Sequence, residues 1–400
     1  MKRFLGLMIA AILMISFAVS AQAVSWKVGD VDFSINGSIR TEMSYQLASR
    51  GDNNKKPDRN TFILESPGNS WIRTSLKYDK LDAVAEFGLI LEDHDVLRFM
   101  RHAFISYDLG TGNKLIIGRT WTILAEDGAF QREGWDSGLW GAGELFAFRH
   151  EQIQFFHKGE EFTFKCSIED SLKIEGDNFG LKNDYTTEDI FPAFYANLSY
   201  SNGGFKINPS AFVQSYKLKS NKDNPNNKDI TVTAYAGALN TSYRNNIIGI
   251  STEIWYGQNL YIHLAESNIS QHNGFQLQRL DASTIIGKPV ANNAGDDINN
   301  VNCMGGWVQV AVFLNKAMIY RIGGGYQEAD SGMSGINYED KLYTWGVYTN
   351  FEYMVLKGFR VIPGIAYLNW GKDVNKNRFG TNKNSLGNDT FFGVFFQYDF

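Results

Sequence analysis

From Val31 onward the chain alternates between apolar and polar positions. Val31, Phe33, Ile35, Ile39, Met43, Tyr45 and Leu47 take turns with Asp32, Ser34, Asn36, Ser38, Arg40, Glu42, Ser44 and Gln46, and only Gly37 and Thr41 interrupt the apolar set. A period of two sustained this long is a strand signal and is incompatible with an amphipathic helix. The stretch also outruns most strands of soluble proteins. The last segment follows the same rule. Phe392, Val394, Phe396, Tyr398 and Phe400 share one side, and Phe391, Gly393, Phe395, Gln397 and Asp399 share the other. One side is wholly apolar and mostly aromatic, a face that lipid would solvate on the outside of a closed barrel.

The pattern repeats between these two segments. Ile72, Thr74, Leu76 and Tyr78 form an apolar row opposite Arg73, Ser75 and Lys77, and a tight Asp79-Lys80 turn leads into Leu81, Ala83, Ala85, Phe87, Leu89 and Leu91. Strands near 98–109 and 114–121, 149–157 and 162–169, 193–200 and 205–216, and 230–242 and 247–257 are joined by short turns, mostly of Gly and Asn. Two later pairs turn at Asn315-Lys316 and around Lys357-Gly358. The other connections are long and polar: 48–69, 92–97, 122–147, 170–190, 217–229, 258–302, 327–341 and 371–388. The reading is a transmembrane antiparallel β-barrel of about sixteen strands, with fourteen and eighteen as the neighbouring counts. An even count places both termini on the side of the short, periplasmic turns and the long loops outside. A soluble sandwich or propeller would need a second apolar face for sheet packing, and none is visible.

Composition narrows this further. Met1-Lys2-Arg3, an apolar run from Phe4 to Val19 and Ala21-Gln22-Ala23 read as a secretory signal removed after residue 23, leaving 24–400 as one barrel domain. A retained anchor is the competing reading, against which the run is short and ends in small residues. Losing Lys2 and Arg3 leaves 36 bases against 43 acids, a charge of −7 that argues against nucleic-acid binding. Beyond residue 23 no apolar run is long enough for a membrane helix, yet the chain holds 29 Phe, 19 Tyr and 9 Trp. Cys166 and Cys303 are too few and too far apart for a disulfide framework and are read as small strand residues.

Three features bear on chemistry. The loop 122–147 carries Glu126, Asp127, Glu133, Asp136 and Glu144 against one base, Arg132, with five glycines and the bulky Trp135, Leu139 and Trp140. Folded inward it would narrow the lumen and place carboxylates there; as a surface loop it would merely be acidic. The predicted inner faces hold Arg40, Arg73, Lys77, Lys165, Lys206, Arg321 and Arg360 with Glu42, Asp82, Glu86, Glu169, Glu253 and Glu352. A basic wall opposite an acidic loop would create a transverse field, the kind of charge arrangement by which pores choose solutes. Finally, strict alternation sets Arg101 and His102 on opposite faces, and an arginine on the lipid face at mid-bilayer costs about 2–4 kcal/mol. Arg101 therefore lies near a membrane boundary, in a subunit contact, or beside a bulge that shifts the register.

Catalysis finds little support. No GxSxG or HExxH motif surrounds any of His94, His102, His150, His157, His263 and His272, and adjacent strand residues such as His150 and Glu151 face opposite ways. Asp296-Asp297 lacks the oxygen-ligand spacing of a calcium loop and is read as solvated, so neither metal nor cofactor is expected. The long 258–302 loop leaves a receptor or specific uptake channel as a third class, although no plug domain fits before Val31.

Arg101-His102-Ala103-Phe104, then Gly118-Arg119-Thr120-Trp121 and the Gly-rich acidic loop, resemble outer-membrane porins of the DcaP type, relatives of the general porins. The closing Phe396-x-Tyr398-x-Phe400 resembles the signal read by the outer-membrane insertion machinery. The resemblance implies a sixteen-stranded homotrimeric diffusion channel in bacterial outer membrane, among lipid and lipopolysaccharide, with the third loop folded into the lumen. Some relatives favour dicarboxylates or other small anions through lumen arginines. Arg119 stands where many relatives have Gln, and the third loop is strongly acidic, so cation or anion preference stays open. The expected pore-lining set is Glu126, Asp127, Arg132, Glu133 and Asp136 on the loop, with Arg40, Glu42, Arg73, His102 and Arg119 on the wall.

Overall fold

The period-two segments become one continuous antiparallel wall. The computed structural model describes residues 23–49, 58–66, 69–89, 100–125, 128–130, 132, 138–139, 141–145, 149–170, 185–220, 228–260, 290–291, 297–332, 339–372 and 385–400. The predicted signal, apart from Ala23, lies outside them. The strands are β1 Val24–Val28, β2 Val31–Ser49, β3 Arg59–Glu65, β4 Trp71–Tyr78, β5 Leu81–Gly88, β6 Met100–Gly110, β7 Asn113–Trp121, β8 Arg149–Lys158, β9 Phe162–Glu169 and β10 Tyr185–Asn202. They continue as β11 Phe205–Ser220, β12 Ile230–Arg244, β13 Ile248–Gln258, β14 Val290–Ala291, β15 Ile298–Asn299, β16 Asn302–Phe313, β17 Met318–Asp330, β18 Lys341–Leu356, β19 Phe359–Asn369 and β20 Asn388–Asp399.

The wall has sixteen positions. The first is β2; β3 and β4 together make the second, since β3 pairs with residues 42–48 of β2 and β4 with residues 32–38. The rest follow in chain order to β20, which pairs with β19 on one side and β2 on the other. That last pairing closes the ring, so no edge is left with unpaired backbone groups in lipid. Where β20 stops, Phe400 and Gly37 exchange both backbone hydrogen bonds at 3.0 Å. The ring of Phe400 occupies the space that a Cβ on Gly37 would need. One of the two interruptions in the apolar row of β2 is therefore the seat of the terminal aromatic.

Several boundaries differ from the expectation. The predicted loop 48–69 contains β3, and β1 forms a hairpin with residues 31–35 of β2 in a stretch assigned no strand. β10, β11 and β17 run into stretches read as loops, to Tyr185, Ser220 and Asp330. Within 258–302, β14 and β15 pair as a two-stranded ribbon separate from the wall. Twist and cross-strand bonding extend these strands beyond where side-chain alternation is legible.

Alternation does sort the two faces as expected. Ile153, Val308, Ile322, Val347 and Ile365 stand exposed on the outside, while Ser38, Glu42, Asn208, Asn240 and Glu253 are buried on the inside. Yet the interior is greasier than a wet lumen would be: Phe391 and Leu139 are fully buried there. Two apolar clusters explain this, because each contains residues from the third loop. Ile123, Leu124 and Leu145 pack with Tyr195, Phe212, Ala236 and Trp255. Ala129, Leu139 and Ala142 pack with Ile63, Trp307, Tyr348, Leu368 and Phe391.

Candidate pore and its inward loop

The described parts of the third loop hang from inward-facing wall residues. Asn197 and Ser210 donate to the carbonyls of Ile123 and Leu124. Trp255 Nε1 donates to the Gly143 carbonyl at 2.8 Å, and Thr344 donates to that of Gly141. In return the loop's own N–H groups are taken by wall side chains: Gly143 donates to Gln327, and Leu145 to Glu253 at 2.9 Å. Loop backbone buried without partners would be costly, and these bonds satisfy it.

At the loop's middle, Phe130 is held by its backbone between Gln309, which accepts its N–H, and Asn350, which donates to its carbonyl. Its ring lies between two guanidinium groups, Arg132 of the loop and Arg321 of β17, each 3.9 Å from the ring centre. Cation–π attraction of this kind strengthens where water is excluded. Glu144 folds the loop on itself, accepting from the N–H of Leu139 at 2.8 Å and of Ala129 at 3.2 Å. Burial pushes its carboxyl up to about 8, the nearby Glu253 adding to the shift and the two N–H donors and Arg132 opposing it. Glu126, Asp127, Glu133 and Asp136 lie outside the described residues, as do Trp135 and Trp140.

The wall charges fall into two networks. In the first, Glu86 of β5 is 1% exposed and takes Arg73 Nε at 2.9 Å and Arg101 Nε at 2.7 Å. His102 Nε2 lies 3.9 Å away. Opposite Glu86 the register jumps, with Glu86 facing His102 and Phe87 facing Met100. The extra residue is Arg101, and this bulge turns it inward beside His102. Of the three readings open for Arg101, the bulge is the one adopted. His102 Nδ1 meets Thr120 Oγ1 at 3.1 Å, and Arg149 Nε donates to His102 Nε2 at 3.3 Å with its guanidinium 3.5 Å over the Trp121 ring.

The second network runs through Arg321–Glu352, Glu352–Arg360 and Arg360–Asp399, and on through Asp399 to Ser38, which also accepts from Arg40 Nε. Arg40 and Glu42 thus face inward as expected, with Glu42 1% exposed. Arg73 keeps about a third of its side chain open (36%) despite its partner.

Arg119 is a correction. It shares the outward row of β7 with Ile117, pairs in register with Ala103 and Glu151, and bonds Glu151 Oε1 at 2.9 Å. Glu151 is itself 58% exposed, and Ile153 next in its row stands fully outside. The eyelet expectation rested on a motif, and alternation from Ile117 rules it out.

Sequence reasoning missed Phe130, Gln309, Asn350 and Arg149. Their signal was a pairing across more than a hundred residues for the first three, which one sequence does not display. On the apparatus for hydrolysis, His150 Nδ1 lies 3.0 Å from Glu169 rather than bonding Glu151, and the Ser167 hydroxyl donates to the same Glu169 at 2.7 Å. The carboxylate sits between serine and histidine, an order that does not activate a nucleophile. Among the described residues no cluster of His, Cys, Asp or Glu suits a metal, and both cysteines are free.

A closed ring of sixteen antiparallel strands whose third loop docks inside is a known architecture. This is the porin fold. The outer-membrane channel DcaP of Acinetobacter baumannii superposes with a TM-score of 0.65 over 94% of this chain and 99% of that one, at 16% identity. An anion-selective porin from Comamonas acidovorans gives 0.58 over 92% and 100%, at 10% identity. OmpT of Vibrio cholerae, in its trimer form, gives 0.53 over 92% and 99%, at 14% identity. No family model matches the chain, and no curated protein matches its sequence. The likeness is one of fold.

Proposed function

We propose that the chain is a passive diffusion channel of the bacterial outer membrane, without catalytic activity, admitting small hydrophilic or charged solutes. In this reading residues 1–23 are the export signal, and Phe396, Tyr398 and Phe400 address the barrel to the insertion machinery. Three copies assemble as reported for OmpT, among lipid and lipopolysaccharide. The observation that carries it is the pairing of a closed wall with a loop bonded to that wall's inner face. Described loop residues bond β10, β11, β13 and β16 to β18, and pack against β3, β19 and β20. The solute path then runs on the other side, along β2 and β4 to β8, where Arg40 and Arg73 stand.

Selection is by size at the loop and by charge between those arginines and Glu126, Asp127, Glu133 and Asp136. A channel for small organic acids is the narrower version, favoured by the partly exposed side chain of Arg73. Planar-bilayer recording tests the proposal: ohmic steps in groups of three are expected. Replacing the four loop acids with their amides should move the reversal potential in a salt gradient toward anions. An unchanged potential removes those acids from the solute path, and absence of conductance removes the channel.

A further inference from the structure

The sixth long connection, 258–302, turns into the barrel at both of its roots. The Asn259 N–H donates to the Val301 carbonyl at 2.8 Å, and the Val301 N–H donates to Asn259 Oδ1 at 2.9 Å, across 42 residues of chain. Asn259 Nδ2 donates to the Thr233 carbonyl at 2.8 Å and to Asn300 Oδ1 at 2.9 Å, which ties the root to β12. These bonds set Asn259 in the left-handed region, with φ at 55°, a conformation asparagine adopts more readily than most residues.

The closed root buries Leu260 and Val301 completely, each 0% exposed. Leu260 lies over Gly257 of β13, where a Cβ would stand 2.8 Å from Leu260 Cδ1. Both side chains belong to the apolar cluster that holds Ile123, Leu124 and Leu145 of the third loop. Two loops remote in the chain thus share one core. Further out, Ile298 of the β14–β15 ribbon packs against Tyr185, Tyr216, Leu218, Ile230 and Val232 at the outer ends of β10, β11 and β12. Ile230 and Val232 continue the buried inward row of Ala234, Ala236 and Ala238, so this patch faces the mouth of the lumen. Water is a poor neighbour for such a patch, and the ribbon supplies an apolar one.

We propose that the 258–302 connection is a second selectivity element, which braces the third loop from the outer side and so sets the width of the solute path. The inference rests on the channel reading above and adds positioning residues to it. Leu260 and Val301 are fully buried and act through the third loop. That loop is bonded to β10 and β11 at Ile123 and Leu124, and to β13 at Leu145, the three residues whose cluster Leu260 and Val301 complete. Removing the brace frees the third loop at its root, and a loop free at its root no longer holds its sieving distance from β2 and β4 to β8.

The test uses the full chain, with barrel formation read by heat-modifiable migration. Sieving is read in liposome swelling as the rate for a trisaccharide divided by the rate for a pentose, a ratio that does not depend on how many channels insert. Leu260→Ser with Val301→Ser should raise that ratio several-fold and speed hydrogen exchange at the Leu145 amide about tenfold or more. Leu260→Met keeps an apolar side chain of similar volume and should match the wild type in both. In the wild type the amides of Val301 and Leu145 should open as one unit, with equal protection that falls together as urea is added. That measurement decides the matter if the double variant does not fold. An unchanged sieving ratio in a folded double variant, a Leu260→Met that behaves like it, or a Val301 amide that exchanges freely while Leu145 stays protected overturns the brace. A wild type without any swelling activity instead overturns the channel reading, while the exchange comparison still reports whether the two loops are joined.

Discussion

The docking of the third loop should weaken as pH rises, and Glu144 sets the amount. Its carboxyl is buried beside Glu253 and stands near 8, whereas a solvated one stands at 4.5. The docked loop therefore holds a proton that the released loop has lost between those values. Docking is strongest below about pH 4.5, declines by about 1.4 kcal/mol for each pH unit above it and levels off past about pH 8. From about pH 5.5 to about pH 7.5 the loss is about 2.7 kcal/mol, or about a hundredfold in the docked-to-released ratio. The readout is hydrogen exchange at Ala129 and Leu139, whose amides bond Glu144, corrected for the intrinsic rate at each pH. Protection should fall about a hundredfold across that interval. Glu144→Gln keeps an oxygen for both donors and removes the ionisation, so its profile should be flat. Protection independent of pH in the wild type, or an unchanged slope in Glu144→Gln, would refute the reasoning.

Two further outcomes concern the wall. Glu86→Gln leaves Arg73 and Arg101 facing each other without their buried carboxylate, and the barrel should lose about 3–5 kcal/mol in urea unfolding. Adding Arg101→Met should restore part of the loss, and a single variant as stable as wild type would mean that the carboxylate is not what holds these arginines. Gly37→Val places side-chain atoms against the Phe400 ring and the Trp71 carbonyl. The seam between β2 and β20 should then close slowly or not at all, seen as a loss of heat-modifiable barrel on refolding into detergent; normal refolding yield would show that the seam tolerates a side chain there.

How far the chain could be understood before its coordinates depended on distance along it. Alternation is a local property, because consecutive strand residues must point to opposite sides of a thin wall. It placed Arg40, Glu42, Arg73, Glu253, Arg321 and Glu352 inside from their neighbours alone, and it made the strand count and the short and long connections readable. It also contained the answer for Arg119, through Ile117, which the motif reading overrode. What tertiary structure alone decided is everything that joins remote segments. Arg101 turns inward because a bulge opposite Glu86 absorbs one residue, and no run of side chains announces that. The third loop's path depends on Gln309, Asn350 and Trp255 meeting backbone groups more than a hundred residues earlier. Gly37 reads as a flaw in its row until Phe400, at the far end of the chain, comes round to lie on it. Local chemistry dictates which way each side chain faces; only closure of the ring dictates what it finds there.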